Sequence, residues 1–228
     1  MVFSYLRSLR RGGIAVLPAR YPGRETRAAE QPIRDFGRLV AALAPVVAGL
    51  PPGPFALFGH SLGAYVAFAV AGELARLDVG QPKALFLASA PGPLGLGPGG
   101  LPLVAEASEL SDDALLALFV GLGGIPSAMA AAPELSAMLA DALRSDIEVF
   151  SSYRHQPRPP LDIPLSLFVG RDDPLVPQDQ VNSWRECTTG VVEMHLVPGG
   201  HFFARHSADQ VRKLVGESCL RGIPAADK

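Results

Sequence analysis

Residues 55–64 read Phe-Ala-Leu-Phe-Gly-His-Ser-Leu-Gly-Ala, and this stretch decides how the rest of the chain is interpreted. Its first four residues are apolar without alternation, which is typical of a parallel strand buried on both faces. The segment 64–77 is rich in small residues and predicts a helix that packs closely on the sheet. Between them, residues 59–63 match Gly-x-Ser-x-Gly, the sharp strand-to-helix turn that projects a serine hydroxyl above a sheet. We therefore predict that Ser61 is a nucleophile and that the backbone amide of Leu62 faces the developing oxyanion.

The Gly-x-Ser-x-Gly match alone is weak evidence, because the chain has 24 glycines. Its position between a buried strand and a helix strengthens the prediction. We expect both Gly59 and Gly63 to be needed because side chains there would clash in the turn. The competing interpretation is that Ser61 only caps the helix, a position that serine favours.

Short apolar runs alternate with longer helical patterns along the chain, which is typical of a layered βα-type fold. Apolar residues at helical spacing predict a helix within 33–50, and Pro45 is expected to kink or end it. The further strand candidates are residues 14–17, 84–88, 165–169 and 192–197. This order predicts an α/β fold with a mostly parallel central sheet flanked by helices.

One block, residues 105–155, has a helical pattern and contains no strand candidate. Ser111 offers a cap to a helix over 114–120, and Pro133 opens a second helix. We therefore predict a single α/β domain spanning 1–228, with a helical lid inserted at about 105–155.

A serine hydroxyl needs a base to take its proton and a carboxylate to hold that base in the right tautomer. In α/β-hydrolases the chain order of these residues is Ser, then acid, then His. Of the histidines that follow Ser61, His201 lies in the loop directly after the last strand candidate. His195 falls inside that strand, and His206 falls within the following helix. We predict that His201 is the general base.

The acid is expected in the loop that follows strand candidate 165–169, which reads Gly170-Arg171-Asp172-Asp173-Pro174. The alternative strand, 84–88, ends in Ser-Ala and offers no carboxylate. Asp173 stands at the Gly-x-x-Asp spacing usual for this loop, so we prefer it. Asp172 stays open as the alternative, and otherwise would be a turn residue that hydrogen bonds to local backbone.

The composition excludes several classes of function. Lys and Arg number 20 against 22 Asp and Glu, a net charge of −2, so there is no basic surplus for nucleic acid. No apolar run approaches the roughly 20 residues that a bilayer requires, and no signal-peptide core is visible. Cys187 and Cys219 are too few for a disulfide framework and lack metal-ligand spacing. We expect a cytoplasmic protein that holds no metal and binds neither nucleic acid nor membranes.

The sequence resembles the stand-alone type II thioesterases that serve polyketide and nonribosomal peptide synthetases. The resemblance covers about residues 14–211 and rests on several ordered pieces, which together are far more specific than the serine motif alone. These pieces are Tyr21-Pro22-Gly23-Arg24-Glu25 with Arg27, residues 58–64, Leu122-Gly123-Gly124-Ile125-Pro126, Leu143-Arg144-Ser145-Asp146, residues 170–174 followed by Trp184, and Gly199-Gly200-His201-Phe202-Phe203.

The resemblance implies an α/β-hydrolase fold with a helical lid and hydrolysis of acyl groups from the phosphopantetheine arm of an acyl or peptidyl carrier protein. It implies no cofactor of the chain's own, because the partner carries the arm. By position, Ser61 corresponds to the nucleophile, His201 to the general base and Asp173 to the acid that orients it.

One departure from the family concerns the N-terminus. Family members usually carry a further segment there, with a first strand and a His-Ala-Gly-Gly-type loop that supplies a second oxyanion amide beside that of Leu62. This sequence starts at Met1 without such a segment. We expect the first strand and the oxyanion loop to be missing from this sequence, so that either the true start lies upstream of Met1 or the activity is weakened. Loss of one oxyanion donor typically lowers the rate by about 10²–10³-fold.

Two alternatives to carrier-protein hydrolysis stay open at this stage. A carboxylester hydrolase acting on free small-molecule esters would use the same three residues. A catalytically weakened, N-terminally truncated chain that only binds carrier proteins would keep the fold without full activity.

Overall fold

The computed structural model describes residues 6, 9, 13–96, 101–205 and 207–221. Within these residues, four parallel strands form one sheet whose spatial order follows the chain order. Because the strands are parallel, their carboxyl ends meet at one edge, and the predicted site residues lie in the loops that follow these ends. The strands are β1 (Leu57–His60), β2 (Leu85–Ala88), β3 (Leu165–Gly170) and β4 (Val192–Val197).

Three of the predicted strands coincide with β2, β3 and β4 to within one residue at either end. The strand predicted over 55–58 begins two residues later and runs to His60, because pairing with β2 starts at Leu57. The strand predicted over 14–17 is wrong. Ile14 and Val16 instead pack at the edge of the apolar cluster that contains Phe86 and Phe168, so their burial does not reflect strand pairing.

Eight α-helices lie among the described residues. The longer ones cover the two faces of the sheet or form the predicted lid. Asp35 caps the first helix by accepting a hydrogen bond from the amide of Arg38. The helix predicted within 33–50 is present and continues past Pro45. Pro45 lies in the last turn and is followed by three further helical residues, so it does not end the helix. The helices are α1 (Phe36–Ala48), α2 (Leu62–Arg76), α3 (Pro102–Glu109), α4 (Asp112–Gly121), α5 (Ser127–Ala130), α6 (Pro133–Ser151), α7 (Gln178–Val181) and α8 (Ala208–Arg221).

Alternate residues of each buried strand supply two separate cores, as the two-residue period of a strand requires. On one face, Leu85 and Leu87 of β2 pack with Tyr65 and Leu74 of α2. On the other face, Phe86 and Ala88 of β2 join a cluster that includes Phe168 of β3 and Val211 of α8. The unbroken apolar runs in the sequence therefore reflect a sheet that is covered on both faces.

The helices α3, α4, α5 and α6 together occupy residues 102–151, the region where the lid is expected; we call this block the lid. An ion pair ties it to the segment before α1, because Arg24 donates to both carboxylate oxygens of Asp146 at 2.8 and 2.5 Å. Within the lid, Arg144 of α6 pairs with Asp112 of α4 at 2.9 Å. In the part of the chain that the structure describes, no helix has the length and apolar character needed to cross a membrane.

Candidate active site

Ser61 stands at the turn between β1 and α2 in a backbone conformation that serine rarely adopts. Its φ of 53° and ψ of −122° lie outside the regions that non-glycine residues normally occupy. It holds the N-cap position of α2, but its side chain makes no capping hydrogen bond. Strain of this kind persists where the surrounding structure enforces it, and it aims the hydroxyl away from the helix. The interpretation of Ser61 as a simple helix cap is therefore not supported.

The two glycines of the motif serve different purposes. A Cβ at Gly59 would overlap the carbonyl group of Gly63 and lie 2.6 Å from the amide nitrogen of Ala64, so the strand and the helix approach too closely for any side chain there. A Cβ at Gly63 would meet no atom within 4 Å outside its own helix backbone. The expectation that both glycines relieve a clash holds for Gly59 and is wrong for Gly63.

This difference yields a matched pair of substitutions. Gly59→Ala is expected to lower the free energy of unfolding by about 3 kcal/mol, because backbone atoms cannot move away from the new methyl group. Gly63→Ala, a change in the first turn of a helix, is expected to raise it by up to about 1 kcal/mol. Urea denaturation of both variants measures the difference, and equal stability of the two would contradict this account of the turn.

The structure brings together the three side chains that the sequence predicts for the site, those of Ser61, Asp173 and His201. The Nε2 atom of His201 lies 3.1 Å from the hydroxyl oxygen of Ser61. The Nδ1 atom of His201 lies 3.0 Å from one carboxylate oxygen of Asp173 and 3.2 Å from the other. The side chains of His201 and Asp173 are 4% and 0% exposed, so solvent screens their interaction weakly. At these distances His201 can take the proton of the Ser61 hydroxyl while the carboxylate of Asp173 orients the imidazole.

The two neighbouring aspartates have different surroundings. Asp173 points inward, and besides facing His201 its carboxylate accepts a hydrogen bond from the amide of Leu175 at 2.9 Å. Asp172 is exposed, and its backbone amide donates to the carbonyl of Gly199 at 3.1 Å. The geometry thus favours Asp173 as the acid and leaves Asp172 in the turn.

The other candidate histidines lie elsewhere. His195 is in β4, where its ring stacks on Phe168 with centroids 4.9 Å apart, on the sheet face away from α2. His206 lies outside the described residues. His60, the residue before Ser61, is buried and makes a specific hydrogen bond, because its Nε2 atom lies 2.7 Å from the carbonyl oxygen of His201.

Burial, and to a smaller extent the nearby His201, lowers the pKa of His60 from 6.5 to about 3. Between these values the unfolded chain binds a proton at His60 that the folded chain does not, so stability from this group falls as the pH falls. From pH 7 to pH 5 the free energy of unfolding is expected to fall by about 2 kcal/mol because of His60. Urea denaturation at both pH values measures this fall in the free energy of unfolding, which should be smaller by this amount in His60→Gln than in the wild type. An equal fall in both proteins would contradict the lowered pKa of His60.

The backbone amide of Leu62 stays the predicted oxyanion donor, and its position at the start of α2 is consistent with that role. Leu62 is the first residue of α2, so its N–H has no acceptor within the helix. It lies next to Ser61, and the positive end of the helix dipole adds to its affinity for negative charge.

Two residues near the site were not assigned a role by the sequence. Ser89 directly follows β2, is fully buried, and donates to the carbonyl oxygen of His201 at 2.8 Å. Phe202 does more than pack its own loop, because its ring touches the lid at Gly124, where a Cβ would lie 2.6 Å from the ring. Phe203 is fully buried in the core. The sequence pattern predicts that residues near the end of a strand are buried. It does not show which backbone group the side chain of such a residue contacts.

The cysteines are not part of this site. Burial raises the pKa of Cys187 to about 11 and raises that of Cys219, which disfavours the reactive thiolate at either position. Across the described ranges, no three His, Cys, Asp or Glu side chains are grouped so that they could hold a metal ion.

Comparison with known proteins identifies the family. Residues 2–219 match the family model described as "Thioesterase domain". The chain belongs to the thioesterase family. It is 32% identical to thioesterase PikA5 of Streptomyces venezuelae over 93% of this chain and 75% of that protein. It is 29% identical to the "Probable cadicidin biosynthesis thioesterase" of Streptomyces griseus over 94% of this chain, and spans 58% of the length of that relative.

A solved structure extends the likeness to the fold. The type II thioesterase BorB from the borrelidin biosynthetic cluster shares 32% identity with this chain and superimposes with a TM-score of 0.78, covering 88% of this chain and 79% of BorB. The predicted family and the predicted α/β-hydrolase fold are confirmed. By family the chain is a thioesterase, the class of enzyme that the sequence predicts, and the relatives do not favour a carboxylester hydrolase.

Proposed function

We propose that this thioesterase hydrolyses acyl groups from the phosphopantetheine arm of acyl or peptidyl carrier proteins, with Ser61 as nucleophile, His201 as base and Asp173 as orienting acid. The observation that carries the proposal is the unbroken line of contacts from the hydroxyl of Ser61 through the imidazole of His201 to the buried carboxylate of Asp173. No cofactor of the chain's own enters the reaction. A cytoplasmic location stays a prediction.

In the first step, the hydroxyl oxygen of Ser61 attacks the thioester carbonyl while the Nε2 atom of His201 takes the hydroxyl proton. The carbonyl oxygen becomes an oxyanion, to which the amide of Leu62 donates. When the intermediate collapses, the carbon–sulfur bond breaks, His201 returns its proton to the departing sulfur, and the acyl group stays on Ser61 as an ester.

In the second step, His201 removes a proton from a water molecule that attacks this ester. The bond to the Ser61 oxygen then breaks, His201 protonates that oxygen, and the free acid leaves. Asp173 accepts the hydrogen bond from Nδ1 throughout, so it holds the tautomer in which Nε2 can accept a proton and stabilises the imidazolium that forms.

The carrier protein as partner is supported by the pathways that the relatives serve. Two of the relatives are named for biosynthetic pathways, the cadicidin biosynthesis thioesterase and BorB from the borrelidin biosynthetic cluster. Phe202, which follows His201, lies against Gly124 of the lid. This contact supports the proposal that the lid covers the acyl group.

A comparison of matched substrates tests the proposal. One acyl group is presented on a phosphopantetheinylated carrier protein, on N-acetylcysteamine as a free thioester, and on p-nitrophenol as an oxygen ester. We expect the highest kcat/KM for the carrier-bound thioester. A higher kcat/KM for the oxygen ester would support the carboxylester hydrolase, and binding of the carrier without any turnover would support a carrier-binding protein.

A further inference from the structure

Two buried side chains converge on one backbone atom of the catalytic loop. The carbonyl oxygen of His201 accepts a hydrogen bond from the Nε2 atom of His60 at 2.7 Å and another from the hydroxyl of Ser89 at 2.8 Å. His60 and Ser89 are 7% and 0% exposed, so water competes little for either bond. A carbonyl oxygen has two lone pairs, and these two donors use both of them.

The two donors come from the ends of adjacent strands. His60 is the last residue of β1, and Ser89 directly follows β2. The amide of Ser89 donates to the carbonyl of Phe168 in β3, so its backbone is fixed on the sheet. Its φ is 49°, an uncommon value for a residue other than glycine, and this conformation turns its side chain toward the loop that carries His201.

His60 also precedes the nucleophile in sequence. One residue therefore links the backbone that carries Ser61 to the backbone that carries His201, across 141 positions of the chain. A shift of the His201 loop would change the 3.1 Å separation between Nε2 of His201 and the Ser61 hydroxyl, and misplacement of about 1 Å can cost about 10² in rate.

We propose that His60 and Ser89 are positioning residues that hold the His201 backbone by these two hydrogen bonds and so keep its imidazole aligned with Ser61. The inference rests on the proposed function, because it assigns a role relative to the Ser61–His201 pair. For His60 it requires the proton on Nε2, since the carbonyl oxygen can only accept. Burial keeps His60 neutral at ordinary pH by lowering its pKa to about 3.

Substitutions at the two positions separate hydrogen bonding from packing. His60→Met removes the donor and keeps an apolar side chain of similar length, whereas His60→Gln keeps an N–H donor near the position of Nε2. Ser89→Ala removes the second hydroxyl. Thr188→Val is the matched control, because Thr188 is also buried and its hydroxyl donates to a backbone carbonyl, that of Ile163 at 2.6 Å, at the opposite edge of the sheet.

Steady-state hydrolysis of an acyl carrier protein gives the first readout. We expect His60→Met and Ser89→Ala each to lower kcat about 10-fold or more with KM unchanged, since substrate binding is untouched but alignment is lost. His60→Gln should recover most of the loss seen in His60→Met, and Thr188→Val should match the wild type. Equal kcat values in His60→Gln and His60→Met would overturn the positioning role of His60, and an unchanged kcat in Ser89→Ala would overturn that of Ser89.

The rate of Ser61 labelling by a fluorophosphonate gives the second readout, independent of any thioester. If the wild type is labelled and His60→Met and Ser89→Ala are labelled at the wild-type rate, the inference fails while the nucleophile of the proposed function stands. If the wild type is not labelled at Ser61, the proposed function itself fails. In the double variant we expect non-additive losses, because both bonds hold the same carbonyl group.

Discussion

Ser61→Ala is expected to lower kcat for an acyl carrier protein by about 10⁴-fold or more, because the substitution removes the oxygen that attacks the thioester. The fold should be unaffected. The Ser61 side chain makes no capping hydrogen bond to α2, and its hydroxyl bonds to His201 across the site. The thermal unfolding midpoint of the variant should therefore lie close to that of the wild type.

Mass spectrometry of the protein during turnover checks the same point directly. The wild type should carry the acyl group on the peptide that contains Ser61, and the variant should carry none. Ser152→Ala serves as a control, since that hydroxyl bonds to the amide of Phe36 and the carbonyl of Val149, away from the site. Turnover retained by Ser61→Ala would show that another group attacks the thioester.

Much of the site could be predicted from the sequence because the signals are local. The turn around Ser61 follows an apolar run and precedes a small-residue helix, and parallel strands bring their carboxyl ends to one edge. The loops after β3 and β4 therefore had to meet near that turn, and they carry Asp173 and His201. The spacing after Gly170 favours Asp173 but leaves Asp172 open, and the structure places Asp173 against His201.

The remaining features depend on contacts between distant parts of the chain. Ile14 and Val16 pack against the core although they are not in a strand, and an apolar run in the sequence does not distinguish such packing from strand pairing. The clash that excludes a side chain at Gly59, and its absence at Gly63, follow from how closely β1 approaches α2. The bonds from His60 and Ser89 to His201 span 141 and 112 positions, with no pattern in the sequence to reveal them.

The neighbouring aspartates provide the second large expected effect. Asp173→Asn should lower kcat by about 10⁴-fold, since an amide can donate to Nδ1 of His201 and so favour the tautomer with the proton on Nε2. That tautomer cannot accept the proton of Ser61. The variant also removes the negative charge that stabilises the imidazolium, and this charge acts strongly because both side chains are buried.

Asp172→Asn is the matched control, because it makes the same chemical change one residue away on an exposed side chain. Its backbone bond to Gly199 is unaffected by the substitution, so kcat should stay within about twofold of the wild type, as for most surface changes. The fluorophosphonate labelling rate should fall in Asp173→Asn and hold in Asp172→Asn. The reverse order would assign the acid to Asp172 and would require the loop after β3 to rearrange in solution, since the 3.0 Å contact joins His201 to Asp173.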